Sequence, residues 1–355
     1  MPAPVRLGRC LALVLVAALW GCGSDHAGPV DPGEGAGPPP STDYPPSPLI
    51  PEVDYPLAYV DPAGQLASLR FGQPARALTS DSALTVRTAV WAPNGADLAF
   101  VATLDTASGG PDFAHLFVVD SAGAEIRRLT DLPDQVWGEP SWSPDGAALA
   151  FATSALEIWT ISRDGTEARQ LTSATPAARA PQWSPGGEWI AFVGEDEAAR
   201  IGLFRTRAAD VDRELLAETT VLPRYAPRYS ADGRRILFED DGDTGVVGAD
   251  GSSRGLLTSA TEREINMRWS PDGSYVAYAR WLGASGIEVI DGESGGVLDS
   301  FIGPSVSPAG GPVWSPDGTR IAFVVGDSIA IGELGRATQW RAELPGLFVA
   351  WNPSG

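Results

Sequence analysis

Residues 142–153 read WSPDGAALAFAT, and variants of this unit recur along the chain. An aromatic residue precedes a turn in which Pro fixes φ, Asp or Asn bonds back to the backbone, and Gly takes a positive φ. An apolar run follows each turn, such as LAFAT at 149–153. The copies of the aromatic and its turn are WAPNG at 91–95, WSPDG at 142–146, WSPGG at 183–187, YSADG at 229–233, WSPDG at 269–273, WSPDG at 314–318 and WNPSG at 351–355.

The spacing of these units predicts the blades of a β-propeller. Successive aromatics are 37 to 51 residues apart, and a period of about 43 residues with this strand content is typical of propeller blades. A second strand, a Gly-containing turn and a closing segment such as RRLT at 127–130 complete four short strands per unit. We expect each aromatic to be a buried wedge between neighbouring blades.

The two ends of the chain complement each other. LFVAWNPSG at 347–355 supplies an inner strand and a turn, whereas LAYV at 57–60, LASLRF at 66–71 and ARALT at 75–79 supply the three strands that should follow. The sequence therefore predicts an all-β, seven-bladed propeller over residues 57–355, with four antiparallel strands per blade and the last blade closed by both chain ends. Six or eight blades are the alternatives. Closure hides sheet edges from other chains.

The repeats resemble the TolB-like, WD40-like (PD40) family, whose motif is x-P-x-W-S-P-D-G-x-x-I-A-F. The resemblance covers residues 57–355 and rests on the seven imperfect copies quoted above. It implies the propeller fold. It also implies that one face and the channel mouth bind proteins of the bacterial envelope.

The N-terminal residues predict export and lipid anchoring. Residues 1–21 contain Arg6, Arg9 and a ten-residue apolar run, as in a signal peptide. LWGC at 19–22 resembles a lipobox, so we expect Cys22 to be acylated and the protein to be held at the outer membrane, on its periplasmic side or at the cell surface. Residues 22–56 are rich in Pro, Gly and acids and predict a disordered tether.

Charge and cysteine content exclude several classes of function. The formal net charge is −20, all 25 basic residues are Arg, and removal of residues 1–21 would leave −22. Such a chain has no general attraction for nucleic acid. Cys10 and Cys22 both precede the repeats, so we expect no disulfide or thiolate metal site in the propeller.

Three features of the sequence are candidates for a catalytic or metal-binding site. GESGG at 292–296 matches the G-x-S-x-G nucleophile elbow, but it falls in a predicted hairpin where no helix follows. His115 lacks motif partners for a catalytic triad or a metal site. Glu239–Asp243 is an acidic loop that either holds Ca²⁺ or is a solvated turn. The sequence therefore predicts no enzyme, no cofactor and no identified metal site.

The segments that lead into the inner strands should surround one mouth of the channel, and they are rich in Arg for so acidic a protein. Guanidinium groups recognise carboxylates, and aromatic side chains add contact area. The alternative is that these arginines pair with acids of neighbouring blades. The candidate ligand-binding residues are Arg87, Trp137, Glu139, Arg179, Arg224, Tyr225, Arg228, Glu264, Asn266 and Arg268.

These features together predict a membrane-anchored propeller that acts as a protein-binding or scaffold module in the bacterial cell envelope. An envelope protein or peptide is the expected partner. The alternative functions are a periplasmic sensor of a small molecule or glycan, and a lyase or hydrolase with its site at the channel mouth.

Overall fold

The computed structural model describes residues 55–70, 73–104, 113–259, 263–281, 286–302, 311–326, 328–336, 339–346 and 348–354. The predicted signal peptide, the tether to residue 54 and the acylation of Cys22 lie outside these residues. Within them, no helix is long and apolar enough to cross a membrane.

The described residues form seven four-stranded antiparallel sheets. We number these blades 1 to 7 by the chain order of their inner strands. The first three are blade 1 with β4 (Leu84–Trp91), β5 (Asp97–Leu104), β6 (Ala114–Asp120) and β7 (Ile126–Arg128), blade 2 with β8 (Val136–Trp142), β9 (Ala148–Thr153), β10 (Ile158–Ser162) and β11 (Arg169–Gln170), and blade 3 with β12 (Ala178–Trp183), β13 (Trp189–Glu195), β14 (Ile201–Arg207) and β15 (Arg213–Glu218).

The other four blades have the same order from the inner strand outward. They are blade 4 with β16 (Arg228–Tyr229), β17 (Arg235–Asp240), β18 (Asp243–Gly248) and β19 (Gly255–Leu256), blade 5 with β20 (Arg263–Trp269), β21 (Tyr275–Trp281), β22 (Gly286–Asp291) and β23 (Val297–Ile302), blade 6 with β24 (Val313–Trp314), β25 (Arg320–Val325), β26 (Ser328–Glu333) and β27 (Gln339–Pro345), and blade 7 with β28 (Phe348–Trp351), β1 (Leu57–Val60), β2 (Leu66–Leu69) and β3 (Arg76–Ala77).

Blade 7 joins the two chain ends, as the sequence predicted. Strand β28 pairs with β1, with Trp351 opposite Leu57. The side chain of Asn352 then donates from Nδ2 to the carbonyl oxygen of Gly95 in blade 1, at 3.1 Å. The seven-bladed, all-β prediction is therefore confirmed.

The blade aromatics are the wedges that the repeat predicted. The six tryptophans are 5–9% exposed, and Tyr229 is partly exposed. Five indole Nε1–H groups donate to a backbone carbonyl of the preceding blade, so each one links two blades. The pairs are Trp91 to Ala350 at 3.3 Å, Trp142 to Val90 at 3.1 Å, Trp269 to Arg228 at 3.1 Å, Trp314 to Arg268 at 3.2 Å and Trp351 to Val313 at 3.1 Å.

The closing segments form shorter strands than predicted. In blade 1 the ladder ends at Arg128, after which Leu129 is buried and Thr130 turns its hydroxyl back onto the third strand. Thr130 Oγ1 accepts from the amide N–H of Leu116 at 3.0 Å. Thr79, Thr172 and Thr258 make the same bond in blades 7, 2 and 4. The Leu-Thr pair therefore seals the blade by the buried leucine side chain and two hydrogen bonds, because the backbone N–H of Leu129 also donates to the carbonyl oxygen of Leu116 at 2.8 Å.

Candidate functional site in the central channel

One position of the inner strand carries chemically different residues in different blades. We call the residue directly before each blade aromatic the pre-aromatic position. In five blades its backbone carbonyl accepts the indole bond described above, so its placement is repeated in those blades. The residue is polar in blades 2 to 5 and apolar in blades 6, 7 and 1. In order, the seven residues from blade 1 to blade 7 are Val90, Ser141, Gln182, Arg228, Arg268, Val313 and Ala350.

Three charged residues from three different blades meet in the channel. Glu139 of blade 2 accepts through Oε2 from Arg228 of blade 4 and Arg268 of blade 5, each at 2.9 Å. The pairs are 89 and 129 residues apart in sequence, so only ring closure brings them together. Glu139 lies in a bulge of β8, where the register shifts between Trp137 and Ser141. Such bulges re-aim side chains.

The protonation states of this cluster follow from its charges. Burial opposes ionisation of Glu139, but the two guanidinium groups outweigh it and lower the pKa of Glu139 to about 2. Burial and the neighbouring Arg228 lower the pKa of Arg268 to about 10. All three groups are ionised at neutral pH, so the cluster has one positive charge that Glu139 does not compensate.

Two further side chains extend the cluster, and the sequence prediction missed both. Arg228 donates from Nη1 to Oε1 of Gln182 at 2.7 Å. Gln182 in turn donates from Nε2 to Oγ of Ser141 at 3.1 Å. Both residues occupy the pre-aromatic position of their blades, as do Arg228 and Arg268. That shared register was visible in the sequence and would have identified them.

Three arginines of the predicted mouth form no ion pair with an acid among the described residues. Arg87 and Arg224 are exposed, and neither guanidinium makes a hydrogen bond or ion pair within the described part of the chain. The backbone N–H of Arg224 donates to Glu239 Oε2 at 2.6 Å. Arg179 donates from Nη2 to the carbonyl oxygen of Pro223 at 2.9 Å. Burial lowers the pKa of Arg179, and the charge of Glu239 opposes this shift.

The aromatic and amide residues of the predicted mouth differ in exposure. Trp137 is 53% exposed, an unusual state for such a large apolar side chain. Tyr225 is partly buried and packs against the core of blades 5 and 6, which contains Ile265. Asn266 is half-buried and adopts a positive φ of 54°, in the bulge of β20. Of these three, Trp137 offers the largest free contact surface.

Glu264 does not join the channel cluster, which corrects its predicted place among the mouth residues. Its side chain is 1% exposed. Its Oε2 accepts from the hydroxyl of Thr244 at 2.5 Å, from the amide of Thr244 at 3.0 Å and from the hydroxyl of Thr258. Burial raises its pKa. Glu264 is therefore a buried link between blades 4 and 5, because Thr244 and Thr258 of blade 4 hold its carboxylate.

The acidic segment at 239–243 is not a loop, which corrects the prediction. Glu239 and Asp240 belong to β17 and Asp243 begins β18, so only Asp241 and Gly242 form the turn. Asp240 pairs with Arg254 at 2.6 Å. The carboxylate of Asp241 accepts from the amides of Thr220 and Val221. Within the described ranges, no group of three or more His, Cys, Asp or Glu residues is placed to hold a metal ion.

The other two candidate features have structural contexts. Ser294 of the GESGG segment lies in the turn between β22 and β23, and its hydroxyl donates to Asp291 Oδ1 at 2.7 Å. His115 is the second residue of β6, opposite Ala102. Burial and the nearby Arg128 lower the pKa of His115. The hairpin predicted at 292–296 is confirmed.

The fold and the channel define the protein as a seven-bladed propeller with a charged network across its axis, and comparisons with known proteins agree on the fold. No family model matches the chain. The uncharacterized peptidase YuxL of Bacillus subtilis is 28% identical over 147 residues, which are 40% of this chain and 21% of YuxL. The uncharacterized protein Atu1656 of Agrobacterium fabrum is 23% identical over 185 residues, 47% of this chain and 62% of that protein. The chain thus spans less than two thirds of the length of these relatives.

Solved structures resemble the whole propeller at low sequence identity. TolB from Acinetobacter baumannii aligns with a TM-score of 0.55 and 16% identity, over 86% of this chain and 68% of TolB. An oligogalacturonate lyase in complex with manganese aligns with a TM-score of 0.62 and 15% identity, over 82% of this chain and 85% of the lyase. At these identities the likeness shows only that the chain shares its fold with both proteins.

These comparisons overturn one prediction from the sequence, namely that the protein is not an enzyme. A relative by sequence is called a peptidase, and structures of similar fold include oligogalacturonate lyases. The prediction rested on the lack of motif partners for His115 and on the hairpin context of residues 292–296. That ground is too weak, because the same fold supports catalysis in its neighbours, and catalytic sites are grafted on folds residue by residue.

Proposed function

We propose that the protein is a binding module of the bacterial cell envelope that recognises an acidic segment of a partner protein at the mouth of its channel. The observation that carries this proposal is the set of three arginines that form no ion pair among the described residues, namely Arg87, Arg179 and Arg224, with Glu239 near Arg179 as the one acid that acts on them. A guanidinium group forms strong, directional hydrogen bonds with carboxylates.

The charge of the rest of the chain supports this assignment. The net charge is −20, so most of the surface repels an acidic segment, and the basic mouth is the place where it would be attracted. Trp137, 53% exposed, adds a rigid aromatic surface of the kind that anchors peptides. The apolar run and Cys22 near the N-terminus support export and attachment to a membrane.

A peptide titration tests the proposal. A fluorescent peptide rich in Glu and a matched peptide rich in Lys are titrated with the full chain, and anisotropy is measured. We expect the Glu-rich peptide to bind and the Lys-rich peptide not to bind. Arg179→Gln should weaken binding at least tenfold, the lower end of the range for a hydrogen bond to a charged group.

Arg127→Gln is the matched control. Arg127 is a partly exposed arginine on the outer strand of blade 1, paired with Glu125 at 2.9 Å. The Arg127→Gln substitution removes one positive charge, as Arg179→Gln does, but at a distance from the mouth. We therefore expect it to change binding of the Glu-rich peptide little. Equal weakening by Arg127→Gln and Arg179→Gln would show non-specific attraction and refute the mouth as the site.

An acidic saccharide is the second candidate ligand. It is favoured by the fold shared with an oligogalacturonate lyase, since a galacturonate chain presents one carboxylate per sugar. Incubation of the full chain with oligogalacturonate, with and without Mn²⁺, followed by chromatography of the products, decides whether this chain degrades it. Product formation that Arg179→Gln abolishes would replace the peptide proposal by a saccharide-directed one.

A further inference from the structure

The channel has a polar half and an apolar half. Ser141, Gln182, Arg228 and Arg268 are the pre-aromatic residues of blades 2 to 5, whereas blades 6, 7 and 1 contribute Val313, Ala350 and Val90. Val90 and Val313 are only partly buried, and each packs against the core that contains the next blade's tryptophan. Ala350 is 9% exposed. The repeat places these seven residues at equivalent positions on the inner strands around one axis, where Ala350 is buried in the core around Trp91 and Val90 and Val313 are partly exposed.

The two arginines of the polar half differ in how many of their donors are used. Arg228 donates from both terminal nitrogens, to Gln182 and to Glu139, and its side chain is 14% exposed. Arg268 makes one hydrogen bond among the described residues, to Glu139, and is 23% exposed. A guanidinium has five N–H donors. Arg268 therefore has donors that remain open to the channel.

The charge of the cluster points to an anion. Glu139 shares one carboxylate oxygen between two guanidinium groups, and the repulsion between Arg228 and Arg268 is one cause of the lowered pKa of Arg268. An uncompensated charge in a partly dehydrated channel is costly. A second carboxylate beside Arg268 would relieve this cost and use the open donors.

We propose that the central channel binds an aliphatic monocarboxylate, with its carboxylate on Arg268 and its hydrocarbon chain on the partly exposed Val90 and Val313. This site is separate from the mouth arginines that carry the proposed function. It has the composition of a small-molecule site, which combines apolar walls with a few placed polar groups.

A chain-length series tests the site. Acetate, butanoate, pentanoate and, as a control, pentylamine are titrated into the full chain by calorimetry. We expect the carboxylates to bind and the amine not to bind, with a gain of about fourfold per methylene while the apolar half has room. Arg268→Gln should weaken pentanoate at least tenfold, whereas the outer-strand control Arg127→Gln should leave it unchanged.

The apolar half has its own variant. Val313→Ser keeps both arginines and should reduce the gain per methylene, with little effect on acetate. This variant also carries the test if Arg268→Gln does not fold. Absence of pentanoate binding to the wild type, equal binding to Arg268→Gln, or an unchanged gain per methylene in Val313→Ser would overturn the proposal. If Arg268→Gln still binds the Glu-rich peptide, a failure of the monocarboxylate proposal can be distinguished from a failure of the proposed peptide site at the mouth.

Discussion

The blade aromatics and the residues directly before them differ in how they vary around the ring. The aromatic is Trp in six blades and Tyr in one, whereas the preceding position carries two Arg, two Val, one Ser, one Gln and one Ala. The aromatic must fill the same wedge between blades everywhere. Its neighbour borders the channel, where no packing requirement is shared, so its chemistry differs from blade to blade. Uniform positions thus build the propeller, and the varied position provides the chemistry of its axis.

The uniform positions should show the largest effect on stability. Trp351→Ala removes a side chain that is 5% exposed and the indole bond to Val313 at 3.1 Å. We expect the free energy of unfolding to fall by about 3–5 kcal/mol, as for large aromatic truncations in cores. Denaturant unfolding measures this loss.

Trp137→Ala is the matched control, because Trp137 is 53% exposed and belongs to the mouth. Its effect should stay within about 0.5 kcal/mol. If both tryptophans cost the same, Trp351 does not contribute to the closure of the ring at blade 7.

The varied position should give a smaller and pH-dependent effect. Glu139 has a pKa of about 2 in the folded protein, below the ordinary value of about 4.3. A carboxyl whose pKa is lower in the folded protein than in the unfolded chain stabilises the fold at pH values above its unfolded pKa. That contribution is lost as the pH falls toward 2. Glu139→Gln should therefore lower the free energy of unfolding by about 2–3 kcal/mol at pH 7, and by much less near pH 2.

Unfolding curves between pH 7 and pH 2 measure this difference. Glu125→Gln is the control, since Glu125 is exposed and pairs with Arg127 at the rim of blade 1. It should change stability little at any of these pH values. A loss in Glu139→Gln that does not shrink with acid would contradict the role of its charge.

The same contrast explains how much of this structure the sequence could predict. The turn unit around Trp142 repeats locally, so blade number, strand order and closure by Leu57 and Trp351 followed from counting. The cluster of Glu139 with Arg228 and Arg268 did not, because its partners are 89 and 129 residues apart and Glu139 sits in a bulge. All three were predicted to lie near the channel, but their mutual contacts depend on the bulge geometry and on the size of the ring.

Local sequence also misplaced residues whose surroundings are set by another blade. Glu264 is the second residue of its inner strand, as Trp137 and Arg179 are of theirs. The hydroxyls of Thr244 and Thr258 nevertheless bind it inside the interface with blade 4. The position of the Glu264 carboxylate depends on two threonines that are 20 and 6 residues away in sequence. No pattern within its own strand shows this.

Two equivalent turns test whether the junction of the chain ends makes one blade turn less tolerant of a side chain than another. Gly95 and Gly146 have φ of +66° and +69° in equivalent turns. A Cβ at Gly95 would lie 1.8 Å from Ser354 Oγ, across the junction with blade 7, whereas at Gly146 the nearest atom is 3.7 Å away. We expect Gly146→Ala to cost about 1 kcal/mol from backbone strain and Gly95→Ala about 2 kcal/mol. Equal costs by denaturant unfolding would show that Ser354 moves aside freely.

The closing threonines should give the smallest effect, and they sharpen the comparison because they are uniform in only four blades. Thr130 Oγ1 accepts from the buried amide of Leu116 at 3.0 Å. Thr130→Val keeps the shape of the side chain and removes the acceptor, so the free energy of unfolding should fall by about 1 kcal/mol. Thr130→Ser keeps the hydroxyl and should recover most of this loss. Amide hydrogen exchange adds a local readout, since the N–H of Leu116 should lose protection in Thr130→Val but not in Thr130→Ser. Retained protection of Leu116 in the valine variant would mean that burial by Leu129, and not the hydroxyl, seals the blade.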